Sequence, residues 1–304
     1  MVKVMTTPVD RLTPGDHICW PFRTDDERLT TMLEFVGAGL GAGEKVLCFT
    51  EEIAPRTLQS ALAERGVDVE TADALGQARF HTADTSYLAT GRFDAEAVLD
   101  GWHRQLAEAR QEGYAGLRVI ADMAWAARRP QVDGTERLAW YEAQASRIFA
   151  DAYATVVCMY DQRLFPGDRL RGIAAAHPAA VFPRTGDDWH PRLRLVRTTD
   201  PAGLRLIGEA DRACRDALEA VLAGLAEDLP AGSPATVDVS RLAFADVSCA
   251  AALVRTAGAL PYGMRIVGAS AALRRLLDMI GAEAPGLTVL PADGVSPAAA
   301  TGRR

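Results

Sequence analysis

The sequence predicts an α/β protein, a mostly parallel sheet with helices on both faces followed by a smaller α/β unit. Three observations predict it. From His17 to about Phe182, short apolar runs alternate with segments of helical spacing, the pattern of parallel strands joined by crossover helices. The polar, turn-rich stretch Pro183-Arg-Thr-Gly-Asp-Asp-Trp-His-Pro191 then interrupts the pattern, and a different one follows. The length of 304 residues suits two domains at about 150 residues each.

In the first unit the expected strands are His17–Phe22, Lys45–Thr50, Ala78–Thr82, Leu117–Asp122 and Thr155–Tyr160. Between them the spacing predicts helices over Asp26–Leu40, Pro55–Arg65, Ala95–Glu112 and Thr135–Ala150. In the first of these, Leu29, Met32, Leu33, Val36 and Leu40 recur at three- and four-residue intervals and make one apolar stripe. A short helix near Arg169–Ala176 and an edge strand near Val181 close the unit, which spans residues 1–183. Residues 184–191 read as a linker.

The second unit, 192–291, opens with strands Leu193–Arg197 and Leu204–Ile207 and a long amphipathic helix, Arg212–Leu225. Strand Thr236–Val239, helix Ser248–Leu260, strand Met264–Val267, helix Ala271–Ile280 and strand Leu287–Leu290 follow. The Ala/Gly/Pro-rich stretch 292–304 is expected to be disordered.

Composition excludes several classes. With 49% hydrophobic and 24% charged residues the chain can bury real cores, so it is not a mainly disordered protein. No apolar run reaches the roughly 20 residues that a membrane helix needs, and no secretory h-region is visible, so a cytoplasmic location without membrane contact is expected. A net charge of −7 argues against a nucleic-acid-binding surface over the whole protein. The five cysteines form no C-x-x-C pair and read as buried thiols.

Familiar motifs fail on context. Gly37-Ala-Gly-Leu-Gly-Ala42 matches the spacing of a dinucleotide fingerprint, but a helix leads in and a strand follows, the reverse of what phosphate at a helix start requires. These glycines read as a helix stop and turn. The loop after the first strand, Pro21-Phe-Arg-Thr-Asp-Asp-Glu27, has no Gly or Lys and three acids that would repel a triphosphate. Glu51 or Glu52 and Asp122 nevertheless sit where an ATPase places its carboxylates, which keeps a residual nucleotide hydrolase as the alternative. His17, Cys19, Cys158 and His177 offer metal-ligating atoms, but their spacing is not diagnostic, and neither a metal nor a cofactor is assigned.

Two family resemblances arise from particular residues. Gly39-Leu-Gly-Ala-Gly-Glu44, together with the flanking Phe35–Glu52, is similar to the segment after the P-loop of RecA/KaiC-type ATPases. With Asp16-His-Ile-Cys19, Glu112-Gly-Tyr-Ala-Gly-Leu-Arg-Val119, Ala121-Asp-Met-Ala-Trp125, Trp140-Tyr-Glu142, Cys158-Met-Tyr-Asp161 and His177-Pro178, the region resembles more closely the MEDS (DcmR-like) sensory domain. The resemblance implies a RecA-like scaffold with a degenerate P-loop that senses a small organic ligand. A ligand crevice in a parallel sheet lies beyond the strands' carboxyl ends. Phe22, Arg23, Thr50, Glu51, Asp122, Trp125, Tyr160 and Asp161 are expected there, with His17 and Arg118 lower in the sheet. The structural alternative is that Trp125, Trp140 and Tyr141 are packing aromatics and that Arg118 pairs with Asp122 or Glu142.

Leu204–Asp211 and Val237-Asp-Val-Ser-Arg-Leu-Ala-Phe-Ala-Asp-Val-Ser-Cys249 resemble the STAS domain of anti-sigma factor antagonists. Carried over by motif, Asp246 holds the acid and Ser248 the position phosphorylated by a kinase-type anti-sigma factor, with Asp246, Ser248 and Cys249 on the docking face. Val247 stands where a Ser or Thr is usual, and Cys249 where Gly is usual. As a helix cap, the Ser248 hydroxyl would be worth about 0.5–2 kcal/mol. The expectation is therefore a signalling regulator and not an enzyme: a ligand-sensing unit controlling a protein-docking unit, compatible with a homo-oligomer. A protein-binding scaffold is the third reading.

Overall fold

The computed structural model describes residues 7–181, 189–230, 232–281 and 285–290. Its first sheet has six parallel strands: β1 (His17–Phe22), β2 (Lys45–Thr50), β3 (Ala78–Thr82), β4 (Leu117–Asp122), β5 (Ala154–Asp161) and β6 (Ala179–Ala180). Their spatial order is β3-β2-β4-β5-β1-β6, so β1 lies between β5 and the short β6. Every residue of β1, β2, β4 and β5 is buried, as a sheet covered on both faces demands.

Alternation along the strands feeds two cores. On one face Ile18, Trp20 and Phe22 of β1 meet helices α1 (Asp25–Gly41), α2 (Pro55–Glu64) and α3 (Val69–Ala74). On the other, Cys19 with Val156, Cys158 and Tyr160 of β5 meets α4 (Ala95–Gln111), α5 (Leu138–Phe149) and α6 (Gly167–Ala175). The acidic loop after β1 is the start of α1. Thr24 Oγ1 accepts from Glu27 N at 3.1 Å, and Asp25, Asp26 and Glu27 fill the first turn, where carboxylates stabilise free N–H groups.

Gly37, Gly39 and Gly41 lie inside α1, and the turn itself is made by Gly43 at φ +73°. Gly39 is needed for packing: a Cβ there would stand 2.4 Å from Cδ of Arg118, which crosses the helix over the Phe35 ring at 4.7 Å. The expected helix over Thr135–Ala150 begins as a 3-10 turn, Thr135–Arg137, before α5 proper.

The second sheet has order β11-β10-β9-β8-β7. Strands β7 (Leu193–Thr199) and β8 (Ala202–Ala210) form an antiparallel hairpin. The remaining pairings, through β9 (Ala235–Ala245), β10 (Met264–Val267) and β11 (Leu287–Val289), are parallel. Leu195, Leu204, Leu206, Val237 and Val239 bury one face against α7 (Arg215–Ala223), α9 (Val247–Ala259) and α10 (Ala271–Gly281). The expected helix Arg212–Leu225 starts at Arg215 and breaks at Gly224, after which α8 (Leu225–Asp228) begins.

The two units touch along α5 and β7. The Arg194 guanidinium on β7 donates to both carboxylate oxygens of buried Asp16, at 2.8 and 3.1 Å. Arg197 N donates to Ala150 O at 2.7 Å, and Arg147 on α5 pairs with Glu227 at 2.5 Å. Ala143, Ala176 and Ala220 make an apolar seam between α5 and α7. Of the expected linker, residues 184–188 lie outside the described residues, as does the expected disordered stretch 292–304. Trp189 packs on the first unit, its Nε1 donating to Ala180 O at 3.2 Å.

Candidate functional site

At the carboxyl ends of the first sheet the expected ligand residues are held mainly by ion pairs and core packing. Arg28 of α1 lies 5.5 Å over the Phe22 ring and donates to Asp122 at 3.2 Å and Asp25 at 3.1 Å. Asp122 also accepts from Ala124 N at 3.1 Å, yet burial raises its pKa to about 6. Arg163 grips Asp161 at 2.6 Å and Asp25 at 2.7 Å, and Arg128 joins Glu51 at 2.7 Å to Asp84 at 2.6 Å.

Phe22, Trp125 and Tyr160 are buried core aromatics, Trp125 stacking on Tyr87 with centroids 5.3 Å apart. Buried Thr50 donates to His81 O at 3.4 Å, and exposed Arg23 reaches Gln162 at 3.5 Å. Arg118 lies elsewhere, paired with Glu44 rather than with Asp122 or Glu142.

A cavity of about 580 Å³ opens on the other side of β2 and β3, under α4. Leu47, Phe49, Tyr87, Val98 and Trp102 line its apolar part, and Lys45, His81, Asp94 and Glu108 supply polar groups. Apolar walls with a few polar anchors suit a small organic molecule. None of the ten ligand residues expected from sequence lines it.

Deeper in the same layer, β1 brings His17 together with Glu142 of α5, Cys158 of β5 and His177, which follows α6. Register explains half of this: β1 pairs with β5, and Cys19 stands opposite Cys158. Helical spacing explains more, because Glu142 and Ser146 are one turn apart on the inner face of α5. Glu142 Oε2 is 3.3 Å from His17 Nε2 and 3.4 Å from His177 Nε2, and Cys158 Sγ lies 3.4 Å from His17 Nε2. Tyr160 donates its hydroxyl to the other Glu142 oxygen. Burial, with His177 nearby, lowers His17 to about 4. Burial works to raise Glu142, but the facing imidazoles prevail and hold it below the usual carboxylate range. Burial, with Glu142 beside it, pushes the Cys158 thiol up. From sequence, His17, Cys19, Cys158 and His177 offer metal-ligating atoms without a diagnostic spacing, and Glu142 stands only in the Trp140-Tyr-Glu142 motif and as a partner of Arg118; Cys19 is not part of the group the fold assembles.

In the second unit, Asp246 caps α9, accepting from Cys249 N at 2.9 Å. The cap is therefore Asp246 and not Ser248, whose hydroxyl donates to the same carboxylate at 2.7 Å. Cys249 faces the core, whereas Phe244 and Val247 are 52% and 56% exposed beside half-buried Ser248. Two large apolar side chains flanking a hydroxyl make a surface suited to a protein partner.

The family profile described as MEDS, the MEthanogen/methylotroph, DcmR Sensory domain, matches residues 16–178. The chain belongs to the MEDS family. A second profile, described as Mlab, STAS domain, matches residues 193–291. Similar solved structures include a KaiC-like protein from the hyperthermophilic archaeon Pyrococcus horikoshii OT3, at 14% identity and a TM-score of 0.41 over 64% of this chain and 78% of that one. Another is the flagellar accessory protein FlaH from Methanocaldococcus jannaschii, at 13% identity and 0.38 over 65% and 80%. No curated protein matches the chain. The MEDS and STAS domains together suggest a signalling or partner-switching role. Among the described residues no helix is long and apolar enough to cross a membrane.

Proposed function

We propose that this MEDS–STAS chain is a cytoplasmic regulator in which a small organic ligand, held by the first unit, controls docking of a kinase-type anti-sigma factor on the second. The observation that carries the reading is the position of α5. Its inner face holds Glu142 and Ser146 in the first core, while Ala143 and Arg147 meet α7 and α8 of the STAS unit. A shift of α5 is thereby felt in both units. The ligand occupies the cavity beneath α4, the helix that packs beside α5 through the Trp102 Nε1 to Tyr141 hydroxyl bond of 2.8 Å.

Docking uses Phe244 and Val247 as apolar contacts and Ser248 as the switch. A phosphate there adds roughly −1.5 to −2 charge beside Asp246, and the like charges repel. The reading requires no catalytic step.

Calorimetric titration of the full chain with a kinase-type anti-sigma factor from the same genome tests it. Ser248→Glu is expected to weaken binding about tenfold, equivalent to about 1.4 kcal/mol. Unchanged affinity in that variant would remove Ser248 from the docking face. Equal partner affinity in ligand-saturated and free protein would sink the sensing half.

A further inference from the structure

With both imidazoles neutral, the buried group on β1, α5, β5 and the turn after α6 has more lone pairs than protons. His177 Nδ1 lies 2.9 Å from Ile173 O, an atom that only accepts, so Nδ1 carries the proton and Nε2 bears the lone pair. Ser146 Oγ lies 3.1 Å from two carbonyl oxygens, Glu142 O and Ala176 O, which take its single proton. It therefore accepts from His17 Nδ1 at 2.9 Å, and His17 Nε2 is likewise a bare lone pair. Both Nε2 atoms lie beside Glu142 Oε2, itself an acceptor, and His17 Nε2 also faces the Cys158 sulfur. His177 Nε2 is fully buried without any hydrogen bond. Such an arrangement of acceptors around one thiol needs a positive charge at its centre, either a proton on one imidazole or a metal ion.

The distances suit a tetrahedral metal ion. Four ligands on a tetrahedral zinc ion at about 2.0–2.3 Å stand about 3.3 Å apart between N and O atoms and about 3.6 Å apart where sulfur is one end. Four of the six separations fall close to these values: the two N–O separations are 3.3 and 3.4 Å, that from His17 Nε2 to Cys158 Sγ 3.4 Å and the O–S separation 3.5 Å. All four donor atoms lie within 4.8 Å of one another.

We propose that His17 Nε2, His177 Nε2, Cys158 Sγ and Glu142 Oε2 form a closed, four-coordinate site for a divalent transition metal of the zinc class. The metal replaces the thiol proton of Cys158, which leaves to solvent. One dication, one thiolate and one carboxylate then sum to zero charge, the state a fully buried site favours. A thiolate among the ligands selects against magnesium and calcium. The hydrogen bonds of Ser146 and Ile173 fix both rings with Nε2 inward, as the outer partners of metal-bound histidines do. With four protein ligands and no open position, the site is structural, clamping α5 to β1 and β5. The inference stands whether or not the STAS unit docks a partner.

The test uses tag-free full-length protein. Metal content is measured after expression in zinc-supplemented medium, and the chain is separately refolded with excess Co²⁺. One tightly held zinc per chain is expected, and the cobalt form should show intense visible d–d bands with a thiolate-to-cobalt charge-transfer band. Cys158→Ser should abolish the charge-transfer band, and Ser146→Ala, a positioning change outside the ligand set, should weaken metal affinity about 10–100-fold with the band retained. The wild-type result needs no variant to fold. Substoichiometric metal from cells together with no tetrahedral cobalt spectrum on refolding overturns the proposal, as does a charge-transfer band that survives Cys158→Ser.

Discussion

The contact between Asp16, which directly precedes β1, and Arg194 on β7 joins the two units, and its energy follows from the geometry. Asp16 is buried, next to His17 in β1, and accepts Thr13 N at 2.8 Å as well as two guanidinium bonds. The Arg194 side chain is 26% exposed, so water screens part of the attraction. Hydrogen bonds to charged groups contribute about 1.5–3 kcal/mol. With the screening, a coupling near the lower limit, about 1.5 kcal/mol, is expected. The perturbations are Asp16→Ala, Arg194→Met, which keeps much of the apolar stem, and the double variant. Urea unfolding followed by tryptophan fluorescence reads the first unit, because Trp20, Trp102, Trp125, Trp140 and Trp189 all precede the second sheet. Circular dichroism reads both units. An interaction energy below about 0.5 kcal/mol, the scatter of independent sites, would refute the argument that this pair joins the units.

Asp122 makes stability depend on pH. Its folded pKa of about 6 exceeds the ordinary carboxyl value, so the folded state binds more protons than the unfolded one between about pH 4 and 6. Stability is expected to fall as pH rises through that window, by up to about 3 kcal/mol, and Asp122→Asn should flatten the slope in urea titrations at fixed pH steps. Tyr141→Phe leaves the buried Trp102 Nε1 without its 2.8 Å partner and should cost about 1–3 kcal/mol, read as a lower urea midpoint with an unchanged m-value. Phe244→Ser with Val247→Asp should weaken binding of the proposed anti-sigma factor partner more than tenfold while changing stability by about 0.5 kcal/mol or less, since both side chains are exposed.

Much of the fold is legible because burial and periodicity coincide. Strands β1 to β4 fall on the residues that alternation and apolar runs indicate, since a sheet buried on both faces leaves short, unbroken hydrophobic stretches. Helix α3 escapes notice because Val69-Glu-Thr-Ala-Asp-Ala74 is six residues long and only Val69 and Ala72 are buried. Strand β9 runs six residues beyond Val239 because it follows β8 around two irregularities, with Ser240, Arg241, Ala243 and Phe244 exposed and no apolar run to mark it.

The site is less legible, because its geometry depends on strand order. His17 and Cys158 are 141 residues apart and meet only because β1 inserts between β5 and β6. Glu142 has no local signal until α5 is seen to turn it inward. The residues at the carboxyl ends of the strands are positioned as parallel topology dictates, but Arg28 and Arg128 reach Asp122 and Glu51 from other elements, and Arg163 turns back onto Asp161 from two residues further along.

The central claim is that the state of the MEDS unit reaches the docking face of the STAS unit. Calorimetric affinity of a kinase-type anti-sigma factor for the full-length wild type and for Arg194→Met tests it, because Arg194 lies on β7, the far edge strand from β11, and not on α9. Loss of about 1.5 kcal/mol of inter-unit coupling is expected to shift the dissociation constant roughly tenfold. Affinities equal within about twofold, in a variant that remains folded, would contradict the account.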